Sequence, residues 1–376
     1  MATGPHCERS DVAGATSLAG PVDGGVGGLM RWQRLAVSRW VRLTQWEYWP
    51  IWAIYLPVFF YGLWLAVWHR GATVFSAANP GMPAAGGLVG YSKSAILEGL
   101  AGAGDAVATW ALIAPGAFPE RNAAVRRFMA EHQLGYPVVL KPDLGERGSG
   151  VVIAKNAAEV EVVLRTEPTA LIAQAYVPGV EWGVFYVRRP GAAKGEIFAI
   201  TDKRMVHVVG DGRSSLERLI LNDARAVGMA RFFRQKFAAR LGEVPAAGER
   251  VMLSELGTHC RGAMFLDGAA LETPELVQAV EAVSRQFEGF YFGRYDLRAE
   301  STEAMQAGRF KVIELNGVSS EATAMYDPKH SVWFGWRTLC RQWRIAFEIG
   351  AANRRAGARV WSVRELWTLL QEQRKA

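Results

Sequence analysis

The chain has 376 residues, half of them hydrophobic and 21% charged, with a formal net charge of +7. That length is enough for one large core or for two subdomains with additions. Its three widely spaced cysteines, Cys7, Cys260 and Cys340, suggest neither a disulfide framework nor a zinc site, and its basic residues are not interleaved with aromatics, so no nucleic-acid partner is expected.

Residues 1–30 are rich in Gly, Ala and Ser, hold little apolar content and read as a disordered tail without a signal-peptide core. In 31–45, helical spacing puts Trp32, Leu35, Ala36, Trp40 and Leu43 on one side, with most of Arg31, Arg34, Arg39 and Arg42 on the other. That is the pattern of a basic amphipathic helix on an anionic membrane surface. Residues 49–68 then carry no charge, with Trp46, Trp49 and Trp52 near one end and Trp64 and Trp68 at the other. Such a stretch can span a bilayer between aromatic belts. If the rest of the chain is cytosolic, however, a span would put the arginines outside, against the positive-inside rule. Pro50 and Pro57 favour a re-entrant helix entering and leaving on the cytosolic side, or a tilted in-plane anchor.

Residues 71–90 form a loop rich in Gly, Ala and Pro, after which Lys93 opens a helix. A further helix is expected over 121–134, and 136–188 is rich in strands. In 136–153 an apolar strand ends at Lys141, a glycine-rich turn carries Gly145, Gly148, Ser149 and Gly150, and a second apolar strand follows. Glycines let a backbone approach phosphate closely, and a neighbouring Lys supplies a point charge. The turn is not a P-loop, and no kinase HRD or DFG follows. In 171–187 a strand containing Gln174 runs through Val177 and a Pro-Gly turn into a strand that begins at Glu181. It offers an apolar slot with backbone partners for an adenine and a carboxylate for a ribose.

Another strand ends at Lys203, Ser214 to Glu217 fits a capping box, and 275–289 reads as a helix. Segments 290–298 and 309–316 read as strands joined by a polar hairpin connection. Residues i and i+2 of a strand face the same way. Arg294 therefore shares a face with Asp296, and Glu314 with Asn316. Pairing the strands gathers two carboxylates, one carboxamide and one guanidinium, an all-oxygen donor set for a hard cation beside an anion-holding Arg. Residues 332–372 read as a Trp- and Arg-rich helical tail.

Taken in order, these pieces resemble the ATP-grasp superfamily, most closely its D-alanine–D-alanine ligase branch, over roughly residues 91–330. The Lys-Pro with its glycine loop matches at Lys141 to Gly150, the adenine hinge at Gln174, Val177 and Glu181, and the Arg-x-Asp then Glu-x-Asn signature at Arg294, Asp296, Glu314 and Asn316. The hinge usually begins with Glu, so Gln174 is a departure; its carboxamide oxygen remains able to meet the adenine amine. The resemblance implies an α+β fold of two subdomains clamping ATP, preceded here by a membrane-associated helix. It also implies that Lys93 and Lys203 reach phosphate, and that Asp296, Glu314 and Asn316 hold one or two Mg²⁺ ions, with Mn²⁺ as a substitute.

The expected organisation is a tail at 1–30, an anchor at 31–70, a loop and entry segment at 71–120, a catalytic domain at 121–350 with a lid at about 121–205, and a helical tail at 351–376. The branch carries a separate N-terminal α/β domain with no counterpart here, which leaves loop 79–93, segment 254–267 and turn 317–327 to hold substrate. The implied activity is ligation of a small-molecule carboxylate to an amine at the cytosolic face of a membrane. The alternatives are phosphoryl transfer to a small molecule and a membrane-attached nucleotide-binding protein without turnover.

Overall fold

The computed structural model describes residues 28–145, 149–254, 257 and 262–375. Most of the N-terminal tail, Gly148, His259 and Cys260 lie outside the described residues. The helices are α1 (Gly28–Thr44), α2 (Ile51–Trp68), the irregular α3 (Pro83–Gly87), α4 (Lys93–Gly99), α5 (Phe118–Glu131), α6 (Ala157–Thr166), α7 (Leu216–Asn222), α8 (Ala230–Lys236), α9 (Pro274–Gln286), α10 (Thr302–Gln306), α11 (Val332–Arg355) and α12 (Val363–Lys375). The strands are β1 (Trp110–Ile113), β2 (Val138–Pro142), β3 (Val152–Ala154), β4 (Leu171–Ala175), β5 (Val180–Val187), β6 (Glu196–Arg204), β7 (His207–Val209), β8 (Arg250–Met252), β9 (Met264–Asp267), β10 (Phe292–Ala299) and β11 (Lys311–Asn316). The fold is mixed α and β, and the chain divides into two compact units. One holds residues 1–57, 203–266 and 326–335; the other holds 58–202, 267–325 and 336–376.

The second unit contains two antiparallel arrays. In the smaller, the strands run β1-β4-β2-β3. Alternation along β2 and β4 sends Val138, Leu140, Leu171 and Ala173 into a core with Val125 and Phe128 of α5 and Val160 and Leu164 of α6. The opposite face of the same strands carries Lys141 and Gln174. Helix α5 starts at Phe118, three residues earlier than its periodicity suggests, because Pro119 is already suited to the first turn.

In the larger array β11, β10, β5 and β6 lie side by side in that order. One face of β5 and β10 sends Trp182, Val184, Tyr186, Tyr295 and Leu297 into a core with α4 and α9. The other face changes character along its length. At one end Phe185, Val187 and Phe292 pack with Ile345, Ala346 and Ile349 of α11. Further along the same face the residues become Arg294 and Asp296 on β10 and Glu181 on β5, by the period of two. Helix α11 therefore roofs the apolar end of this face and leaves the polar end for chemistry.

In the first unit, β7 pairs with β8, and Val206, Val208, Leu216, Ile220, Phe233 and Val251 form the core. Helix α1 docks on α7 and on the turn at 226–229. Arg31 and Arg234 both pair with the buried Glu217, at 2.6 and 2.8 Å. Arg31, with 42% of its side chain exposed, is thus engaged in an ion pair within this unit. Two local expectations shift as well. The N-cap of α7 is Ser215, which accepts from Arg218 N, and not Ser214. The C-terminal tail is two helices, interrupted after α11 where Gly357 takes φ 93°, the left-handed geometry that ends helices.

Loop 79–93 is pinned by one side chain. Asn79 is fully buried; its Oδ1 accepts from the Tyr291 and Phe292 amides, both at 2.9 Å, and its Nδ2 donates to the Gly86 and Phe292 carbonyls at 3.1 and 2.7 Å. Asn79→Ala would strand several of these groups away from water, each at a cost of about 1–3 kcal/mol. Urea unfolding of the variant is expected to show a net loss of about 3 kcal/mol. A loss under about 1 kcal/mol would mean that the loop is held from elsewhere.

Candidate active site

The register of β10 against β11 builds the site. Arg294 lies opposite Asn316 and Asp296 opposite Glu314. The four side chains therefore stand together on one face, as the i and i+2 rule anticipates. Glu181, opposite Arg298 on β5, falls on that face too. Arg294 is held from two sides: its Nε donates to Asp296 Oδ1 at 3.2 Å and its Nη1 to the Glu321 carbonyl at 3.1 Å. Burial works against the guanidinium charge, but Asp296, Glu314 and Glu321 outweigh it and raise its pKa further.

Immediately past Asp296 the ladder slips by one residue: Asp296 faces Glu314, yet Leu297 faces Val312. Ile313 is the extra residue of this bulge. Its carbonyl accepts from Lys141 Nζ at 3.0 Å and from Gln174 Nε2 at 3.3 Å. Lys141 also donates to Gln174 Oε1 at 2.9 Å. Both ends of the Gln174 carboxamide are thus engaged, and its oxygen faces an ammonium before any base arrives. Burial pushes the Lys141 pKa down to about 8; Glu314 pulls it back up, Lys93 lowers it, and Asp296 and Glu181 raise it. A Glu at position 174 would oppose the fall with a full charge, whereas Gln opposes it only with a dipole.

Lys93 is buried and not a solvated helix residue. Its Nζ donates to the carbonyls of Pro142, Asp143 and Gly145, at 3.1, 3.4 and 2.6 Å. The Ser94 amide donates to Asp143 Oδ1 at 2.7 Å, so the start of α4 clamps the root of the glycine loop. Gly150 has φ 67°, and a Cβ there would lie 2.7 Å from Pro142 Cγ, which makes glycine necessary at the return of that loop. Ser149 is exposed, and Val177 is half-buried in the turn between β4 and β5. Lys203 is buried near the end of β6 and falls in the other compact unit.

Two of the segments expected to border the substrate meet beside Asn316. The Val318 amide donates to Gly86 O at 3.0 Å and Ser319 Oγ to Gly87 O at 3.1 Å. A Cβ at Gly317 would sit 2.3 Å from Gly86 O, so only glycine permits this approach. Gln342 of α11 fixes the same turn, accepting from the Ala322 amide at 3.0 Å and donating to Ser320 O at 2.7 Å. Tyr91 donates from its hydroxyl to Asn316 Oδ1 at 2.9 Å. Sequence reasoning missed Tyr91, Asn79 and Gln342. The signal for Tyr91 was its place two residues before Lys93; Asn79 and Gln342 gave none beyond an Asn-Pro-Gly turn and a helical Gln.

The donor set fits a hard cation: carboxylates Asp296 and Glu314 and the Asn316 carboxamide present oxygen alone. No group of three or more His, Cys, Asp or Glu side chains suited to a metal occurs among the described residues, so phosphate and water oxygens would complete any shell. A small pocket of about 10 Å³ lined by Lys93, Ile96, Leu97, Lys141, Ile313, Glu314 and Leu315 lies beside these groups. A larger hollow of about 340 Å³, lined by Arg34 and Arg218 among others, lies in the other unit and contains none of the motif residues.

No protein-family model matches the chain. Cyanophycin synthetases of Trichormus variabilis and Nostoc sp. are each 30% identical to it over 126 residues. That match takes in 31% of this chain and 13% of the length of those enzymes. Among solved structures, D-alanine–D-alanine ligase from Bacillus anthracis is similar at 15% identity and a TM-score of 0.42, over 71% of this chain and 69% of that one. A D-cycloserine synthetase follows at 16% and 0.38, over 68% and 70%. The bifunctional glutathione synthetase of Pasteurella multocida follows at 17% and 0.36, over 62% and 33%. The solved structures that this chain is similar to are ATP-grasp ligases.

Proposed function

We propose that the chain is a Mg-ATP-dependent ligase that joins a carboxylate to an amine through an acylphosphate. What carries this reading is the set Arg294, Asp296, Glu314 and Asn316 on one sheet face, with the Lys141 ammonium reaching the same strand at its bulge. Asp296, Glu314 and Asn316 would hold one or two Mg²⁺ ions, or Mn²⁺, which when bound screen phosphate charge and orient the γ-phosphoryl group. Lys141 and Lys93 neutralise the triphosphate, with Gly145, Ser149 and Gly150 beside it. Gln174, Val177 and Glu181 bracket the adenine and ribose. Lys203 is proposed as a further phosphate contact on the resemblance alone.

In the reaction a substrate carboxylate oxygen attacks the γ-phosphorus and ADP leaves. The amine then attacks the acyl carbon, and phosphate departs with the carbon–oxygen bonding pair. Arg294 is placed to stabilise the oxyanion of the tetrahedral intermediate. The acid and amine are proposed to be an amino acid, a peptide or a cell-envelope precursor, met at the cytosolic face of a membrane to which residues 31–70 attach the chain. Incubation with Mg-ATP and pooled amino acids tests the class of reaction. ADP plus an amide supports ligation, ADP plus a phosphorylated acceptor would make the chain a kinase, and no turnover would leave a nucleotide-binding protein.

Glu314→Gln and Asp296→Asn are each expected to lower turnover by about 100-fold or more, because each removes a charge that holds the cation against triphosphate. Circular dichroism should stay unchanged. Near-wild-type rates at modest Mg²⁺ would contradict the metal assignment.

Lys141→Ala should raise KM for ATP, whereas Arg294→Ala should mainly lower kcat, since Lys141 meets ground-state phosphate and Arg294 meets charge that develops later. Steady-state kinetics of the two variants check this, and the opposite pattern would exchange their roles.

The ammonium form of Lys141 is the one that binds phosphate. Its pKa of about 8 predicts that affinity for a non-hydrolysable ATP analogue falls as pH rises through 8. Well above that pH the limiting slope is about tenfold per unit. Gln174→Glu should move this alkaline limb upward by restoring a carboxylate partner. Equal profiles for the two proteins, measured by calorimetric titration from pH 7 to 9.5 (roughly the useful range around the shift), would show that residue 174 does not set the Lys141 charge.

A further inference from the structure

Helix α2 is apolar all round, yet it has two different faces. Among the described helices it alone is long and apolar enough to cross a membrane, with a mean hydropathy of 1.7. Ile54, Val58 and Leu65 are buried, Leu65 to 1% exposure. With Tyr61 they fall at the i, i+4, i+7, i+11 spacing of a single stripe. Leu65 packs with Val74, Phe347 and Ala351, and Tyr61 and Ala66 join that cluster beside Trp343. On the opposite side Trp52, Leu56, Phe59, Phe60, Leu63 and Val67 stand exposed, Val67 to 79%. Trp64, on the flank, and Trp68, at the C-terminal end of the inner stripe, are exposed as well and stack on each other, ring centroids 5.6 Å apart.

A spanning helix is surrounded by lipid or by other apolar segments. The C-terminal half of the inner stripe, at Tyr61 and Leu65, instead packs on α11, which carries Arg337, Arg341, Arg344, Glu348 and Arg354. Arg354 donates to the carbonyls of His69 and Arg70, at 2.9 and 3.3 Å, and so ties the end of α2 to that charged helix. Driving α2 across a bilayer would drag these charges into hydrocarbon or tear the packing apart. The helix runs through Pro57 as a single element, so the sharp turn that a re-entrant hairpin requires is not formed.

We propose that α2 is a one-sided anchor lying in the plane of an anionic bilayer surface, its outer stripe in the lipid and its inner stripe on the protein. This rests on the membrane attachment suggested above and decides its geometry. The charge pattern favours lipid over a second copy of the chain. Helix α1, just before α2 in sequence, has no acidic residue, keeps Arg34, Arg39 and Arg42, and exposes Trp32 and Trp40 at 69% and 68%. A basic, Trp-bearing helix suits an anionic interface, whereas two copies would set like charges together. Removing residues 1–70 would uncover Phe347 and Ala351, so substitution on the outer stripe is the cleaner probe.

The test uses the full chain and vesicles of phosphatidylcholine with and without phosphatidylglycerol. Co-flotation is expected, stronger with the anionic lipid. Replacing Phe59, Phe60, Leu63 and Val67 with Ser should weaken it by about 100-fold or more while leaving ATP-analogue binding intact. Single cysteines at positions 52, 60 and 67, in a chain with Cys7, Cys260 and Cys340 changed to Ser, should carry a fluorophore quenched from the same shallow depth at all three sites. Tags at the two termini should be protected on the same side of a bacterial host membrane. Termini on opposite faces, or a probe at 60 much deeper than at 52 and 67, would overturn the in-plane geometry and leave attachment standing. A full chain that ignores both vesicles would overturn attachment itself without touching the ligase reading. A concentration-dependent dimer abolished by the serine variant would show that a second copy covers the stripe.

Discussion

The carbonyl of Ile313 is the joint on which the site depends. Leu315 and Val312 lie three apart on β11, yet both pack into the core beneath α4 and α9. A regular strand would send them to opposite faces, so an extra residue must be absorbed between them. The bulge at Ile313 absorbs it and leaves a carbonyl out of the ladder. A carbonyl withdrawn from water must be paired, and Lys141 and Gln174 of the smaller array supply the donors. The charge-assisted bond is worth about 1.5–3 kcal/mol. The same irregularity keeps Glu314 and Asn316 on the face of Asp296 and Arg294 while delivering a lysine to their side. A bulge next to catalytic groups re-aims a strand locally, and here it also couples two sheets.

Charge of both signs is concentrated around that joint. Lys93 and Lys141 are both buried, and their mutual repulsion adds to desolvation in pulling the Lys141 pKa down. Uncompensated buried cations are costly. The carboxylates that relieve Lys141, namely Glu314, Asp296 and Glu181, are those that a metal and a ribose would also claim. Under the proposed function, a triphosphate with its cation would exchange one set of partners for another. Gln174 belongs to this balance: it orders Lys141 by a hydrogen bond without adding a countercharge. The turn at 317–320, loop 79–93 and Tyr91 meet one another beside Asn316.

The pairing of β10 with β11 was legible because it rests on one rule, the period of two, applied to polar residues in apolar strands. Lys141 was legible for the same reason, as a charge ending the run Val138-Val139-Leu140. The first strand of the smaller array, Trp110–Ile113, was not. Four residues show no alternation, and its partner β4 is sixty positions away. The loop at Ala84 to Gly87 was beyond reach as well. Four successive residues there take positive φ, from 49° to 77°, and two of them are alanines. No local preference selects that geometry; the fourfold clamp of Asn79 and the approach of Gly317 impose it. Residues that serve by filling a neighbour's hydrogen-bonding capacity, such as Gln342 and Tyr91, have no signature in a single sequence.

Helix α2 marks a different limit. Hydropathy averages over the helical circumference, so a segment that is apolar on every side gives the same value whether lipid, protein or both surround it. The distinction comes from what the buried stripe touches. Leu65 against Phe347 and Ala351 fixes one side of α2 to a helix that carries arginines, one of them in an ion-pair network: Arg344 lies 3.6 Å from Glu348, which also meets Arg189 at 3.2 Å. That network holds only outside hydrocarbon. An apolar helix tied to it can reach lipid with its outer half alone, so the charge pattern on α11 sets how deep α2 can lie.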